Sequence, residues 1–299
     1  MNAAIVDVTT DRNTGIGASD APAVLGLSPW RTPLEVFLEK TGRAAPQAES
    51  LPMRIGKALE PVVLEAFSER TGLTVARRQE RIRCPRFPWR WATVDAVTGD
   101  ALVEAKTSGE FSEWGDEGTD QIPRHYIVQV QHALACTGLK LAYVPVLIAG
   151  RDFRLYEVAR DESIIEAITC AEREFWARIE RNDPPPLTSA NDVRIRWPVD
   201  NGASVVASDE DLIRIESLRR LKADGKALES DIEELELALK ERLGEAASLI
   251  ESDGTVLATW RASKAPVRLD TKALQAAHPE LCLKFSKVGA PVRRFLLKE

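Results

Sequence analysis

Cysteine is scarce and scattered: Cys84, Cys136, Cys170 and Cys282 form no C-x-x-C pair. A zinc knuckle or an iron–sulfur cluster is thereby excluded, and buried reduced thiols are expected. Long apolar runs are also missing. The longest, Leu141 to Ala149, is too short to cross a bilayer, and the opening MNAAIVDVTTDRN lacks the basic-then-apolar order of a secretion signal. A cytoplasmic protein with no membrane partner is expected. Excess positive charge is absent as well, the net charge being −6. This argues against a protein that coats nucleic acid over its whole surface, but it leaves room for a local basic groove. No repeat of fixed period occurs. What is present, 44% hydrophobic and 29% charged residues over 299 positions, fits one well-buried domain plus an appendage, or two small domains.

Thr32-Pro33-Leu34-Glu35 reads as a capping box with proline at the first helical position, and Gly42 follows as a stop, which predicts a helix over about 33–41. A second helix is expected from about Met53 to Thr71, ending at Gly72, with Leu59, Val63, Ala66 and Phe67 as its apolar stripe and Glu60 one position beyond. The period then changes. LTVARRQERIRC, WRWATVDAV and ALVEAKT read as three strands, followed by a helix over about 124–136, strands at LAYVPVLIAG and DFRLYEVA, and a helix over about 162–181. Pro184-Pro185-Pro186 breaks the pattern. The expected architecture is an α/β (α+β) domain over residues 1–190, a central mixed sheet flanked by helices, plus a C-terminal extension over 191–299. In that extension Leu218, Leu221, Leu228, Ile232, Leu235 and Leu239 make a heptad-like stripe on a long helix over about 208–247, interrupted at Gly225. A small hairpin near Ser252-Asp253-Gly254, a short helix near 271–277 and the basic end Arg293 to Lys298 complete it.

The chemistry concentrates in WATVDAVTGDALVEAKT. If Gly99-Asp100 is a two-residue turn, paired residue numbers sum to 199, and Asp95 stands opposite Glu104. Their Cβ atoms would lie about 5 Å apart, where like charges repel unless a cation intervenes. Glu104 and Lys106 share a strand face, while Ala105 offers its backbone carbonyl. Two carboxylates and a carbonyl oxygen suit Mg²⁺, and an adjacent lysine can orient or activate water, so phosphodiester hydrolysis is the chemistry this arrangement fits. A solvated hairpin face with alternating charges is the bland alternative. Val94, Val97, Leu102 and Val103 weigh against it, because they make the surrounding strands apolar.

The blocks GIGASDAPAVLGLSPWRTP, MRIGKALEP, TVDAV, VEAKT and YIVQVQHALACTG, in that order over about residues 12–180, resemble the YqaJ-type viral recombinase nucleases, relatives of lambda exonuclease in the restriction-endonuclease-like superfamily. The resemblance implies magnesium, with manganese as a substitute, held by Asp95, Glu104 and the Ala105 carbonyl, with Lys106 beside it. It adds Glu60 from the G-x-x-x-E pattern begun by Gly56, as catalytic residue and metal ligand, and Gln129 from Q-V-Q. Arg12 and Ser19, seven apart, match the residues that bind a terminal 5′-phosphate. Without the family, Glu60 is an exposed helix charge, Gln129 a cross-helix hydrogen-bonding group, and Ser19 an N-cap before Asp20-Ala21-Pro22-Ala23. An N-capped helix start would itself offer N–H groups to a phosphate.

ARRQERIRCPRFPWRW interleaves arginines with Phe87, Trp89 and Trp91, which suits backbone contacts and base stacking, or simply a basic outer strand. His125 and His132 are not expected to bind metal, since a carboxylate site prefers an oxygen-ligated ion. The resemblance implies a 5′-to-3′ exonuclease on double-stranded DNA ends, a single-strand annealing protein as partner, and a homo-oligomer such as a ring-forming trimer. A repair or structure-specific endonuclease and a non-catalytic DNA-binding module are the rivals.

Overall fold

A computed structural model describes residues 12–44, 49–76, 79–265, 267–287, 289 and 291–298, with Arg12 described by its backbone alone. The chain divides into two compact units, Met1–Arg196 and Trp197–Glu299.

In the first unit β1 (Ile16–Gly17) is followed by α1 (Ala21–Val24) and α2 (Pro33–Lys40). The capping box of α2 is complete: Glu35 N–H donates to Thr32 Oγ1 at 3.2 Å and Thr32 N–H to Glu35 Oε2 at 2.8 Å. α3 (Leu51–Thr71) starts two residues earlier than expected, capped by Ser50, and stops at Gly72 in the left-handed conformation with φ 71°. α1 is capped by Asp20 rather than Ser19, and without a side-chain cap bond. Asp20 is buried and engaged elsewhere, accepting from Gly17 N–H at 3.1 Å and from Arg31 and Lys40 at 3.0 and 2.6 Å. Burial alone would raise its carboxyl, but Lys40 and Arg31 outweigh that and hold it below the ordinary value.

The strands are more broken than the apolar pattern implied. β2 (Glu80–Arg83) pairs antiparallel with β3 (Arg90–Val94), which pairs parallel with β1. A Cβ on Gly15 would come within 2.2 Å of the Trp89 carbonyl oxygen, and one on Gly17 within 2.9 Å of the Trp91 ring, so the close β1–β3 approach requires both glycines. The chain then bends at Asp95 and enters a second sheet as β4 (Ala96–Thr98), turns at Gly99-Asp100, and returns as β5 (Ala101–Val103) in the expected register, Ala96 opposite Val103. After a break at Glu104-Ala105, β6 (Lys106–Ser108) resumes. β5 and β6 lie end to end along β7 (Leu141–Ile148), both parallel to it and offset by forty residues, as Ala101 opposite Leu141 and Lys106 opposite Val146 show. β8 (Asp152–Ala159) pairs antiparallel on the other edge of β7, making the sheet mixed.

Alternation along the sheet assigns its faces. Leu64 and Phe67 of α3 pack with Ala96 and Val103 on one face. Val97, Leu102, Val144 and Val146 pack on the other with Val130, Ala133 and Leu134 of α4 (Arg124–Thr137). α5 (Glu162–Arg181) and α6 (Ala190–Arg196) close the unit, and buried Asp192 of α6 accepts the Thr32 hydroxyl at 2.6 Å.

The aromatics of the strip and Arg90 turn inward, while Arg83 and Arg86 stay exposed. Trp91 is buried, Phe87 packs on the core, and Trp89 stacks on Trp176 of α5 at 5.9 Å. Arg90 is buried, ion-paired with Glu172 at 3.0 Å and donating to the Thr169 hydroxyl at 2.8 Å, while His132 meets Glu172 at 2.6 Å and the Trp91 carbonyl at 2.9 Å. These side chains knit β3 to α4 and α5 rather than offering a stacking surface.

In the second unit α7 (Asp209–Leu243) starts on a capping box at Ser208, and leucines 221, 228, 235 and 239 along its stripe are exposed. A bulged hairpin, β9 (Ser248–Ile250) with β10 (Val256–Thr259), turns through Gly254 at φ 90°, and α8 (Thr271–Ala277) and α9 (Pro279–Phe285) follow. α9 was not foreseen.

Removing one member of a buried ion pair strands the other. Glu172→Ala is therefore expected to destabilise the protein by about 3–5 kcal/mol, and an unfolding midpoint in urea equal to that of the unaltered chain would show that the Arg90 network carries no stability.

Candidate functional site

Both strand breaks fall at one place. At Asp95 the chain leaves the first sheet for the second. At Glu104-Ala105 the β5–β6 line is interrupted opposite Pro145 of β7, which has no N–H to donate. Glu104 N–H still donates to the Tyr143 carbonyl at 2.9 Å, whereas Ala105 N–H donates to Asp95 Oδ2 at 3.0 Å. A side-chain carboxylate thus takes a backbone donor at the break and ties the two interrupted strands together.

A cleft of about 860 Å³ opens there. Ser19, Gly56, Glu60, Asp95, Glu104, Ala105, Lys106 and Gln129 all line it. Of the residues expected from the sequence, the side chain of Arg12 alone lies outside the described residues. Lys106 Nζ donates to Glu104 Oε1 at 2.6 Å, and Gln129 Nε2 of α4 donates to the same oxygen at 2.6 Å. Glu104 Oε2 is left buried with no hydrogen-bond partner. Such an atom is costly unless a donor or cation meets it.

Two residues outside the expected set complete the arrangement. Gln79, with φ 53°, donates through Nε2 to Glu60 Oε1 at 2.6 Å and lies 3.5 Å from Asp95 Oδ1. Glu60 is thus bonded to an amide set between it and Asp95. Tyr126 is three positions before Gln129 on one face of α4, and the Lys106 ammonium stands 5.0 Å from its ring centre. The i, i+3 spacing was the signal that could have found Tyr126. Gln79 carried none, because its position depends on the turn before β2.

The charges are coupled. Burial raises the Asp95 carboxyl well above its ordinary value, and repulsion from Glu104 and Glu60 adds to this against the opposing pull of Lys106 and the Ala105 N–H. Burial of the Lys106 ammonium would lower it, but Glu104 and Asp95 outweigh that and hold it above the ordinary lysine value. Lys106 is therefore a proton-bearing donor at neutral pH. Among the described residues no three or more His, Cys, Asp and Glu side chains are set to hold a metal ion. The donor set that would fit a hard cation is smaller: two repelling carboxylates, one of which keeps the orphaned Oε2, and the Ala105 carbonyl, with waters completing the shell.

Fold and cleft together define a mixed α/β protein with a carboxylate–lysine cleft built across two interrupted strands. The model of the YqaJ-like viral recombinase domain matches residues 9–140. The chain is 33% identical over 305 residues to the uncharacterized protein YqaJ of Bacillus subtilis (strain 168), covering 97% of this chain and 92% of that protein. The chain belongs to the YqaJ-like viral recombinase family. Solved structures similar to it include an alkaline exonuclease (LHK-Exo) from Laribacter hongkongensis, at 20% identity over 57% of this chain and 91% of that one with a TM-score of 0.45. A phage-related exonuclease from Haemophilus somnus 129PT matches at 11% identity over 56% and 96%, with a TM-score of 0.43.

The raised Asp95 carboxyl makes a pH-dependent prediction. A carboxyl whose folded value lies above its unfolded one gives stability that is complete below the ordinary 3.8 and lost as pH rises through the folded value. In a chelator at pH 8, Asp95→Asn should raise the melting temperature by roughly 2–4 °C for each kcal/mol of relieved repulsion, and the gain should vanish near pH 4. A gain of the same size at both pH values would sink the repulsion account.

Proposed function

We propose that the protein is a divalent-metal-dependent DNA exonuclease that digests one strand of a duplex end 5′ to 3′ and leaves a 3′ single strand for recombination. The observation that carries this reading is the convergence of Asp95 and Glu104 on one cleft, with the buried Glu104 Oε2 lacking a partner and Lys106 bonded to the other Glu104 oxygen. Asp95, Glu104 and the Ala105 carbonyl would hold Mg²⁺, or Mn²⁺ in its place, with Glu60 contributing from behind Gln79. When bound, that ion supplies Lewis acidity toward a phosphate oxygen and a more acidic water.

The side chains divide the remaining work. Gln129 and Lys106 both donate to Glu104 Oε1, which fixes the carboxylate and leaves Oε2 as its free ligand atom. Lys106, donating to Glu104 Oε1 at the edge of the cleft, would orient or activate the attacking water and offset charge on the phosphate. Asp95 Oδ2 is held by the Ala105 N–H, while Oδ1 meets only the longer contact from Gln79 Nε2 at 3.5 Å, so Oδ1 would be the oxygen offered for coordination. Ser19, exposed in the cleft, and Arg12 would bind the terminal 5′-phosphate. Partners in this reading are duplex ends, an annealing protein for the product strand, and further copies of the chain, for which the exposed α7 stripe offers one surface.

Asp95→Ala, Glu104→Ala and Lys106→Ala should each abolish Mg²⁺-dependent digestion of linear duplex DNA on a gel while duplex binding persists. Near-normal turnover in any of the three would overturn the assignment.

The 5′ end distinguishes this reading from an endonuclease. A charge-assisted hydrogen bond is worth about 1.5–3 kcal/mol, so Arg12→Ala should slow digestion of 5′-phosphorylated DNA by roughly ten- to a hundred-fold. Dephosphorylated duplexes should already be slow substrates for the unaltered protein and no slower for the variant. Equal rates on both ends, with nicking of closed circles, would point to an endonuclease.

A further inference from the structure

A second hollow, of about 420 Å³, lies on the other side of the first turn of α4. Arg124 and His125 line it, and the next residue, Tyr126, lines the carboxylate cleft. The His125 and Tyr126 rings are 4.1 Å apart, so one turn of helix separates the two cavities. The hollow falls in the roughly 300–1,000 Å³ range of small-ligand pockets. Three of its features leave groups open to a ligand.

His125 is nine-tenths buried, yet its Nε2 has no hydrogen-bond partner. Burial lowers its pKa, with Lys106 adding to this against Glu113, which favours the neutral ring at neutral pH. α4 begins here without a side-chain cap, and exposed Arg124 is its first residue. Trp30 stands beside the hollow, 67% exposed, meeting His125 edge-on, with ring centres 4.8 Å apart and planes at 86°, and Tyr126 at a tilt with ring centres 6.2 Å apart. Its backbone is tied down, Trp30 N–H donating to Ser28 Oγ at 3.2 Å. An indole held by its neighbours but left open to solvent is a stacking platform. Exposed Glu113 in the lining opposes a bare phosphate but can accept a hydrogen bond from an exocyclic amine, as carboxylates do with cytosine N4.

We propose that this hollow binds a nucleobase of an unpaired DNA strand next to the carboxylate cleft, with Trp30 stacking, Arg124 on the backbone phosphate, and His125 Nε2 and Glu113 on the base edge. This rests on the DNA-nuclease reading of that cleft. The edge groups imply a preference: Glu113 rewards bases that carry an amino group, which cytosine and adenine do and thymine does not.

Binding of fluorescent oligo(dC) and oligo(dT) to the full-length protein, by anisotropy in a chelator, tests the hollow without catalysis. Trp30→Ala should weaken oligo(dC) binding about ten-fold and Trp30→Phe should restore most of it, since stacking needs a ring and not an indole. Glu113→Ala should remove the preference for oligo(dC) over oligo(dT), with melting curves unchanged for all three variants. Equal oligo(dC) affinity of Trp30→Ala and the unaltered protein, or no preference for oligo(dC) at the outset, overturns the proposal. If the unaltered protein digests duplex DNA with Mg²⁺ while either of those results holds, the hollow alone is misassigned. If it neither digests duplexes nor binds any oligonucleotide, the nuclease reading falls with it.

Discussion

Two carboxylates held close together in one cleft repel each other, and the arrangement around Asp95 and Glu104 answers to that repulsion. Asp95 has one oxygen on the Ala105 N–H, Glu104 has one oxygen shared by Lys106 and Gln129, and Glu60 is bonded to the amide of Gln79. Each donor lowers the cost of a negative charge without removing it. The cleft keeps a deficit of positive charge at its centre, visible in the raised Asp95 carboxyl and the orphaned Glu104 oxygen. A folded protein retains such a deficit only where the surrounding packing over-determines it.

That packing comes from interrupted strands. An unbroken strand from Arg90 to Thr98 would keep Asp95 in a single sheet; the bend lets one stretch of chain serve two sheets and leaves the carboxylate at the joint. The break at Glu104-Ala105 frees the Ala105 N–H to turn toward Asp95, and Pro145 on the neighbouring strand removes the donor that would otherwise favour a continuous ladder. The sheet is weakest where the chemistry is gathered. Its strength lies in the flanks, in Leu64 and Phe67 of α3 on one face, α4 on the other, and the buried Arg90–Glu172 pair behind.

Much of this was legible beforehand. Helix ends were written locally, in Thr32 and Glu35 for α2 and Gly72 for α3, because caps and left-handed stops depend on a few adjacent residues. The 199-sum register followed from a two-residue turn, which fixes pairing by geometry alone. The arginine and aromatic strip was less legible. Whether Arg90 and Trp91 face solvent or core depends on which side of β3 is covered, and α4 and α5, distant in sequence, cover it.

The sequence by itself determined the order of elements, the face shared by Glu104 and Lys106, and the approach of Asp95 to that pair, since each follows from a short-range period of the chain. Tertiary structure alone decided that α3 would bring Glu60 and α4 would bring Gln129 and Tyr126 to the same cleft, and that Gln79 would stand between Glu60 and Asp95. It also decided that Ser19 would stay exposed in the cleft while Asp20 became the buried N-cap of α1. The physical reason is range. A period of two or 3.6 residues aims a side chain at one face of its own element, but which other element meets that face depends on how apolar surfaces pack across the whole sheet.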